Sequence, residues 1–158
     1  MTIKQVYGWL YHGRRPNWRA RGLNQFWAVV HALGVAPNYL VTLQLLGRRS
    51  GKLITFPLVM VVVDGERYLV SMLGLDVAWV RNLPATRYRA LLRHGRTEIV
   101  QLEEIAVTQR GRILQSYARR APGARAHLPV AVDAPLAAFE AVAAQLPVFR
   151  VRSVQQGA

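Results

Sequence analysis

The sequence predicts a mainly β domain with flanking helices, built as a small antiparallel barrel of about six strands. Three observations carry this. Apolar runs of strand length recur along the chain, and the turn signals between them, Gly47 to Gly51, Asp64-Gly65 and His94-Gly95, are short. Such connections join antiparallel neighbours, whereas parallel strands need a crossover of about a dozen residues or more. Helical patterns stand before, between and after the strands instead of alternating with each one. At 158 residues, 52% hydrophobic and 18% charged, the chain reads as one domain with a real core.

In chain order, Thr2 to His12 places Val6, Trp9 and Leu10 at helical spacing, until Gly13-Arg14-Arg15-Pro16 ends the helix. Lys4, Arg14, Arg15, Arg19 and Arg21 surround its aromatics. This arm, residues 1–22, suits either a lipid headgroup layer or packing on its own domain or a partner. Residues 23–154 form the barrel and its helices. Leu23 to Leu33 is an apolar helix closed by Gly34, and Pro37-Asn38 a turn. Tyr39 to Leu46 is the first strand and Leu53 to Val63 the second. Pro57 lacks an N–H, so it must mark an edge or a bulge. Glu66 to Leu73 is the third strand. Leu75 to Leu83 is a short helix, with Asp76 as its cap and Trp79 and Leu83 on one face. Strands over Tyr88 to Leu92 and Thr97 to Val107 follow, then a helix over Gln109 to Arg120. A loop over Ala121 to Arg125, a helix over Ala134 to Leu146 and a closing strand over Val148 to Val154 come next. Residues 155–158 form a tail.

The net charge is +13, and its distribution matters more than its sum. Residues 1–63 hold eight basic side chains and no acidic one; the first carboxylate is Asp64. A field of that sign attracts nucleic acid, anionic lipid or a polyanionic small molecule. Against nucleic acid, the cations do not interleave with aromatics on one strand face as single-strand binders require. The absence of cysteine removes disulfides and thiolate metal sites and fits a reducing cytoplasm. The N-terminus lacks the pattern of a secretory signal, and no apolar run nears the roughly 20 residues of a membrane span.

Side-chain chemistry is sparse. His12, His31, His94 and His127 are scattered, so no metal site is expected. Glu103 and Glu104 point to opposite strand faces and form no acid/base pair. No nucleophile elbow, phosphate-binding Walker loop or dinucleotide glycine fingerprint is present. An enzyme built this way would rely on a cofactor for its reaction. The exception is Gly47-Arg48-Arg49-Ser50-Gly51-Lys52, where three cations and a hydroxyl sit in one turn. Positive φ at the two glycines would let successive N–H groups converge, and the cations would complete an anion cradle. The same residues also read as a solvated basic turn.

This turn, followed by Pro57-Leu58, Asp64-Gly65, a strand ending at Ser71 and then Ala78-Trp79-x-x-Asn82-Leu83, resembles the deazaflavin-dependent nitroreductase family. The resemblance covers Leu43 to Thr86. It implies a split β-barrel related to FMN-binding oxidases, with reduced coenzyme F420 as cofactor in preference to FMN. It also implies hydride transfer to a quinone, nitroaromatic or other activated acceptor. By the same resemblance Arg48, Arg49 and Ser50, with Lys52, hold the phosphate end. Thr55, Phe56, Pro57, Leu58 and Val59 lie along the deazaflavin. Ser71, Met72, Leu73 and Gly74, then Ala78, Trp79 and Asn82, complete the pocket. Ser71 and Tyr117 are the candidates for a catalytic hydroxyl. The chain departs from the family pattern at Ile54, where a basic residue usually stands, and in a shortened loop between Ser71 and Trp79. A homodimer and contact of the N-terminal arm with the inner membrane face are further expectations. The alternative is a non-catalytic split-barrel module that holds a flavin-like, haem or lipid ligand.

Overall fold

The computed structural model describes residues 40–120 and 128–154. The N-terminal arm, the helix expected over Leu23 to Leu33, the Pro37-Asn38 turn, the loop over Ala121 to Arg125 and the tail lie outside the described residues, as do His12, His31 and His127.

Six strands form a closed antiparallel barrel: β1 (Leu40–Leu46), β2 (Leu53–Val63), β3 (Glu66–Val70), β4 (Arg89–His94), β5 (Arg96–Glu104) and β6 (Val148–Ser153). Around the barrel they run β1-β2-β3-β6-β5-β4, and β4 closes on β1 through Gln44 opposite Leu91. This is the split-barrel α+β architecture the sequence predicts. The Asp64-Gly65 hairpin takes φ of 52° and 78°, the paired left-handed geometry that suits the twist of its strands.

Strand alternation sorts the apolar residues into layers. Val41, Leu43 and Leu45 of β1, Ala90 and Leu92 of β4, Val100 and Leu102 of β5, and Phe149 and Val151 of β6 fill the barrel. The helix α1 (Ala78–Asn82) contributes Trp79, and the residue after it, Leu83, joins the same cluster. On the outside, Val59, Val61, Tyr68, Val70 and Val148 are covered by α2 (Gly111–Arg120) and α3 (Leu136–Val142).

Several boundaries differ from the expectation, each with a local cause. β3 ends at Val70, because the Ser71 N–H bonds to Pro147 O and its hydroxyl turns back onto Gly74 O. α1 starts at Ala78 with Val77 as its cap residue and no side-chain cap bond, so exposed Asp76 does not cap it. β4 starts one residue late because Arg87 and Tyr88 take positive φ. β5 stops at Glu104, and 3₁₀ turns over Val107–Gln109 and Ala143–Gln145 take what the pattern gave to a strand and a helix.

The feature that positions the site is a parting of two strands. β2 pairs with β1 along Leu53 to Val59, but β3 joins it only from Met60 onward. Beyond Leu69 the chain follows β6 instead. Among the described residues the first half of β2 therefore has one strand neighbour. Pro57, opposite Thr42, sits in that half, where its missing N–H costs no ladder bond on the open side.

Candidate functional site

The open half of β2 begins where the cationic turn ends. From Leu53 to Leu58 six successive residues are half-buried, a run that no strand buried on both faces would show. On the inner face Phe56 and Leu58 pack against the barrel cluster that holds Trp79. On the outer face Thr55 Oγ1 accepts a 3.2 Å hydrogen bond from Gln44 Nε2. The result is a shelf, apolar for most of its length.

The turn at its head is built differently from the sequence expectation. Gly51 has φ of 62°, but Gly47 does not take positive φ. Gly47 is required for space: a Cβ there would stand 2.6 Å from Ser50 Oγ and 2.9 Å from Ile54 Cδ1. Its N–H bonds to Lys52 O at 2.8 Å, and the Gly51 N–H returns to Gly47 O at 3.0 Å. The Lys52 N–H bonds to Ser50 Oγ, and the Arg48 N–H to Asn82 Oδ1, both at 3.2 Å. These four donors are spent inside the structure, so the expected convergence of N–H groups does not form. Anion affinity here must come chiefly from side chains. Arg48, Arg49 and Lys52 are exposed, and no carboxylate lies within 4.0 Å of them among the described residues.

Asn82 connects the turn to α1. Its Oδ1 accepts from a terminal guanidinium nitrogen of Arg48 at 2.8 Å as well as from the Arg48 N–H. Asn82 is 2% exposed, so its carbonyl is a fixed point that aims the guanidinium. Desolvation, then the charges of Arg81 and Arg49, lower the Arg48 pKa below its ordinary value; the group stays charged. Arg81 was missed by the sequence reading. The inward pair Trp79 and Asn82, three apart on the helix, was the signal that would have left Arg81 facing out.

The remaining predicted residues fall into two sets. Leu73 and Ala78 are exposed and Gly74 half-buried in the segment that parts from β2. Leu75, not foreseen, adds a second exposed leucine beside Leu73. Ser71, Met72, Trp79 and Tyr117 turn inward. Trp79 is 5% exposed and meets Phe149 edge-to-face at 5.4 Å. Ser71 Oγ donates to Gly74 O at 2.6 Å, and the Tyr117 hydroxyl to Met72 Sδ at 3.2 Å. Burial pushes the Tyr117 phenol well above its usual pKa, so it has no phenolate character near neutrality.

A shallow depression of about 290 Å³ lies elsewhere, lined by Tyr88, Gln101, Leu102, Glu103, Glu104 and Arg152. No predicted site residue lines it, and its Glu103 is already bonded by Arg152 at 2.7 Å. Among the described residues no cluster could hold a metal ion, and no helix is long and apolar enough to cross a membrane.

No family model and no curated protein sequence matches the chain. Solved structures do. One is a protein of unknown function from Agrobacterium tumefaciens str. C58, with TM-score 0.53 and 16% identity over 91% of this chain. The match covers 56% of that protein, so this chain spans little more than half its length. Another is an F420-H2 dependent reductase, with TM-score 0.50 and 20% identity over 75% of this chain and 97% of that one. A third, described as a domain-swapped dimer, has TM-score 0.52 and 18% identity over 86% of this chain and 98% of the other. At these identities the likeness establishes the fold, one shared with an F420-H2 dependent reductase.

Proposed function

We propose that the chain is an oxidoreductase that binds reduced coenzyme F420 along the open half of β2 and reduces a quinone, nitroaromatic or other activated acceptor. The observation that carries this is the pair of hydrogen bonds from Arg48 to Asn82. They tie a carboxylate-free cationic turn to α1 at the head of a half-buried strand. An elongated ligand with one acidic end and one flat apolar end fits that layout.

In this reading Arg48 and Arg49, with Lys52, take the phosphate end. Leu53 to Val59 support the ring on one side, and the segment from Ser71 to Ala78 borders it on the other. Trp79 works from beneath, holding Phe56 and Leu58 in place. When bound, the reduced deazaflavin supplies the hydride. The chain binds and orients, and Leu73 and Leu75 shield the site from water. Ser71 and Tyr117 shape the loop, because both hydroxyls already donate to internal partners. The dimer and the docking of the basic arm on an anionic membrane, where quinones reside, belong to the same proposal.

Fluorescence titration of the purified protein with coenzyme F420, with FMN and haem as controls, tests it. Tight binding of the deazaflavin alone is the expected result. Binding of haem in its place would move the protein to the non-catalytic alternative, and binding of FMN would replace the proposed cofactor.

A further inference from the structure

Asn82 does more than hold Arg48. Its bonds bring the last turn of α1 against the cationic turn, and the residue beside it is Arg81. The Arg81 N–H is used within its own helix, on Val77 O at 3.1 Å. Its side chain is exposed and makes no ion pair or hydrogen bond among the described residues. It is nonetheless close enough to Arg48 for its charge to act there, as Arg49 also does.

Gathering three guanidiniums in one place costs free energy through mutual repulsion, and no carboxylate pairs with them among the described residues. The carboxylates that pair with arginine, Asp64, Glu98, Glu103 and Glu104, do so elsewhere, with Arg112, Arg67, Arg152 and Arg110. Arg81 is exposed, so its charged head is not held there by core packing. Three planar forks, one of them aimed by a buried amide, are what an anion with more than one negative charge requires.

We propose that Arg81 is a specificity-determining residue of this site: with Arg48 and Arg49 it takes the phosphate end of the ligand and favours multiply charged anions over uncharged analogues. Only the identity of the molecule that carries the phosphate rests on the function proposed above. Two elements distant in sequence build the contact, so α1 both shapes the pocket and reads its charge.

The test compares wild type, Arg81→Gln and Arg93→Gln. Arg93 is an exposed β4 arginine opposite Thr42, about 16 Å along β1 from the turn, and its change removes the same charge. Each protein is titrated with inorganic pyrophosphate, with coenzyme F420 and with the deazaflavin lacking its phosphate. Arg81→Gln should weaken pyrophosphate and F420 binding by about tenfold or more and leave the phosphate-free compound unchanged. Arg93→Gln should change each by less than about twofold. Equal effects of the two substitutions on pyrophosphate would overturn the assignment, as would wild type that ignores pyrophosphate. Pyrophosphate binding that depends on Arg81, in a protein that ignores every deazaflavin, would instead uphold it while refuting the proposed cofactor.

Discussion

Replacing Trp79 separates the two roles a tryptophan beside a cofactor site can have. The indole is 5% exposed, meets Phe149 at 5.4 Å with the rings at 63°, and shares its cluster with Leu83, which is fully buried. Truncation of a large buried aromatic costs about 3–5 kcal/mol, because the transfer free energy is lost and a cavity remains. The edge-to-face pair accounts for about 0.5–1.5 kcal/mol of that. In a 158-residue domain each kcal/mol moves the thermal midpoint by about 2–4 °C, so Trp79→Ala should melt roughly 6–20 °C below wild type. Trp79→Phe keeps an aromatic plug and should lose about 1–2 kcal/mol. Urea unfolding of Trp79→Leu, Phe149→Leu and the double variant, each single change removing one ring of the pair, should give a coupling near the pair value. Deazaflavin affinity of Trp79→Phe should stay within about threefold of wild type, since the ring acts from below the shelf. A Trp79→Ala protein within about 1 kcal/mol of wild-type stability, but deaf to the cofactor, would refute this account.

Changing Arg48 and Arg49 together to alanine should reduce coenzyme F420 affinity by at least about tenfold, read by fluorescence, with little change in thermal midpoint. Gly51→Ala must place a Cβ at φ of 62°, and urea titration should find it about 1 kcal/mol less stable. Burial alone would raise the Glu98 pKa, but hydrogen bonds from Arg67 and Ser153 and the charges of Arg67 and Arg96 more than offset it, leaving it lowered. A lowered folded-state pKa contributes stability above the unfolded value, about 4.3, that is lost as pH falls through the folded value. Glu98→Gln should therefore cost about 1 kcal/mol at neutral pH, and the gap should close in denaturation curves taken below about pH 4.

Most of the barrel could be read from the chain because its information is local. Asp64-Gly65 dictates a hairpin whatever surrounds it, and alternation in Leu40–Leu46 assigns its faces without knowledge of the partner strand. Pro57 even announced the open edge. Failures came where distant groups decide. Ser71 ends its strand because Pro147 and Gly74 claim its donors, and Pro147 lies 76 residues further along the chain, out of reach of a local pattern. Asp76 has the composition of a cap, yet the helix begins too late for it. At the turn, glycine spacing suggested an N–H cradle, while Asn82 and the turn's own carbonyls absorb those donors. Residue types at Arg48, Asn82 and Trp79 were visible, but not that Asn82 bonds Arg48 or that Trp79 is buried in the cluster against which Phe56 and Leu58 pack.

The charge pattern has a consequence beyond the turn. Acidic residues begin at Asp64, and among the described residues Asp64, Glu98, Glu103 and Glu104 pair with Arg67, Arg96, Arg110, Arg112, Arg150 and Arg152. Those arginines belong to β3, β5, β6, α2 and the approach to α2. None belongs to the β1–β2 turn or to α1. Among the described residues neutralisation is therefore local to those elements, and Arg48, Arg49, Lys52 and Arg81 are left without it. Exposed cations more than a Debye length apart ignore one another at physiological salt, so only those sharing the turn sum into a field a ligand can feel. Such a field speeds encounter with an anion and fixes its charged end first, before the apolar shelf is engaged. Raising salt should accordingly slow association with a phosphate-bearing ligand far more than it speeds release.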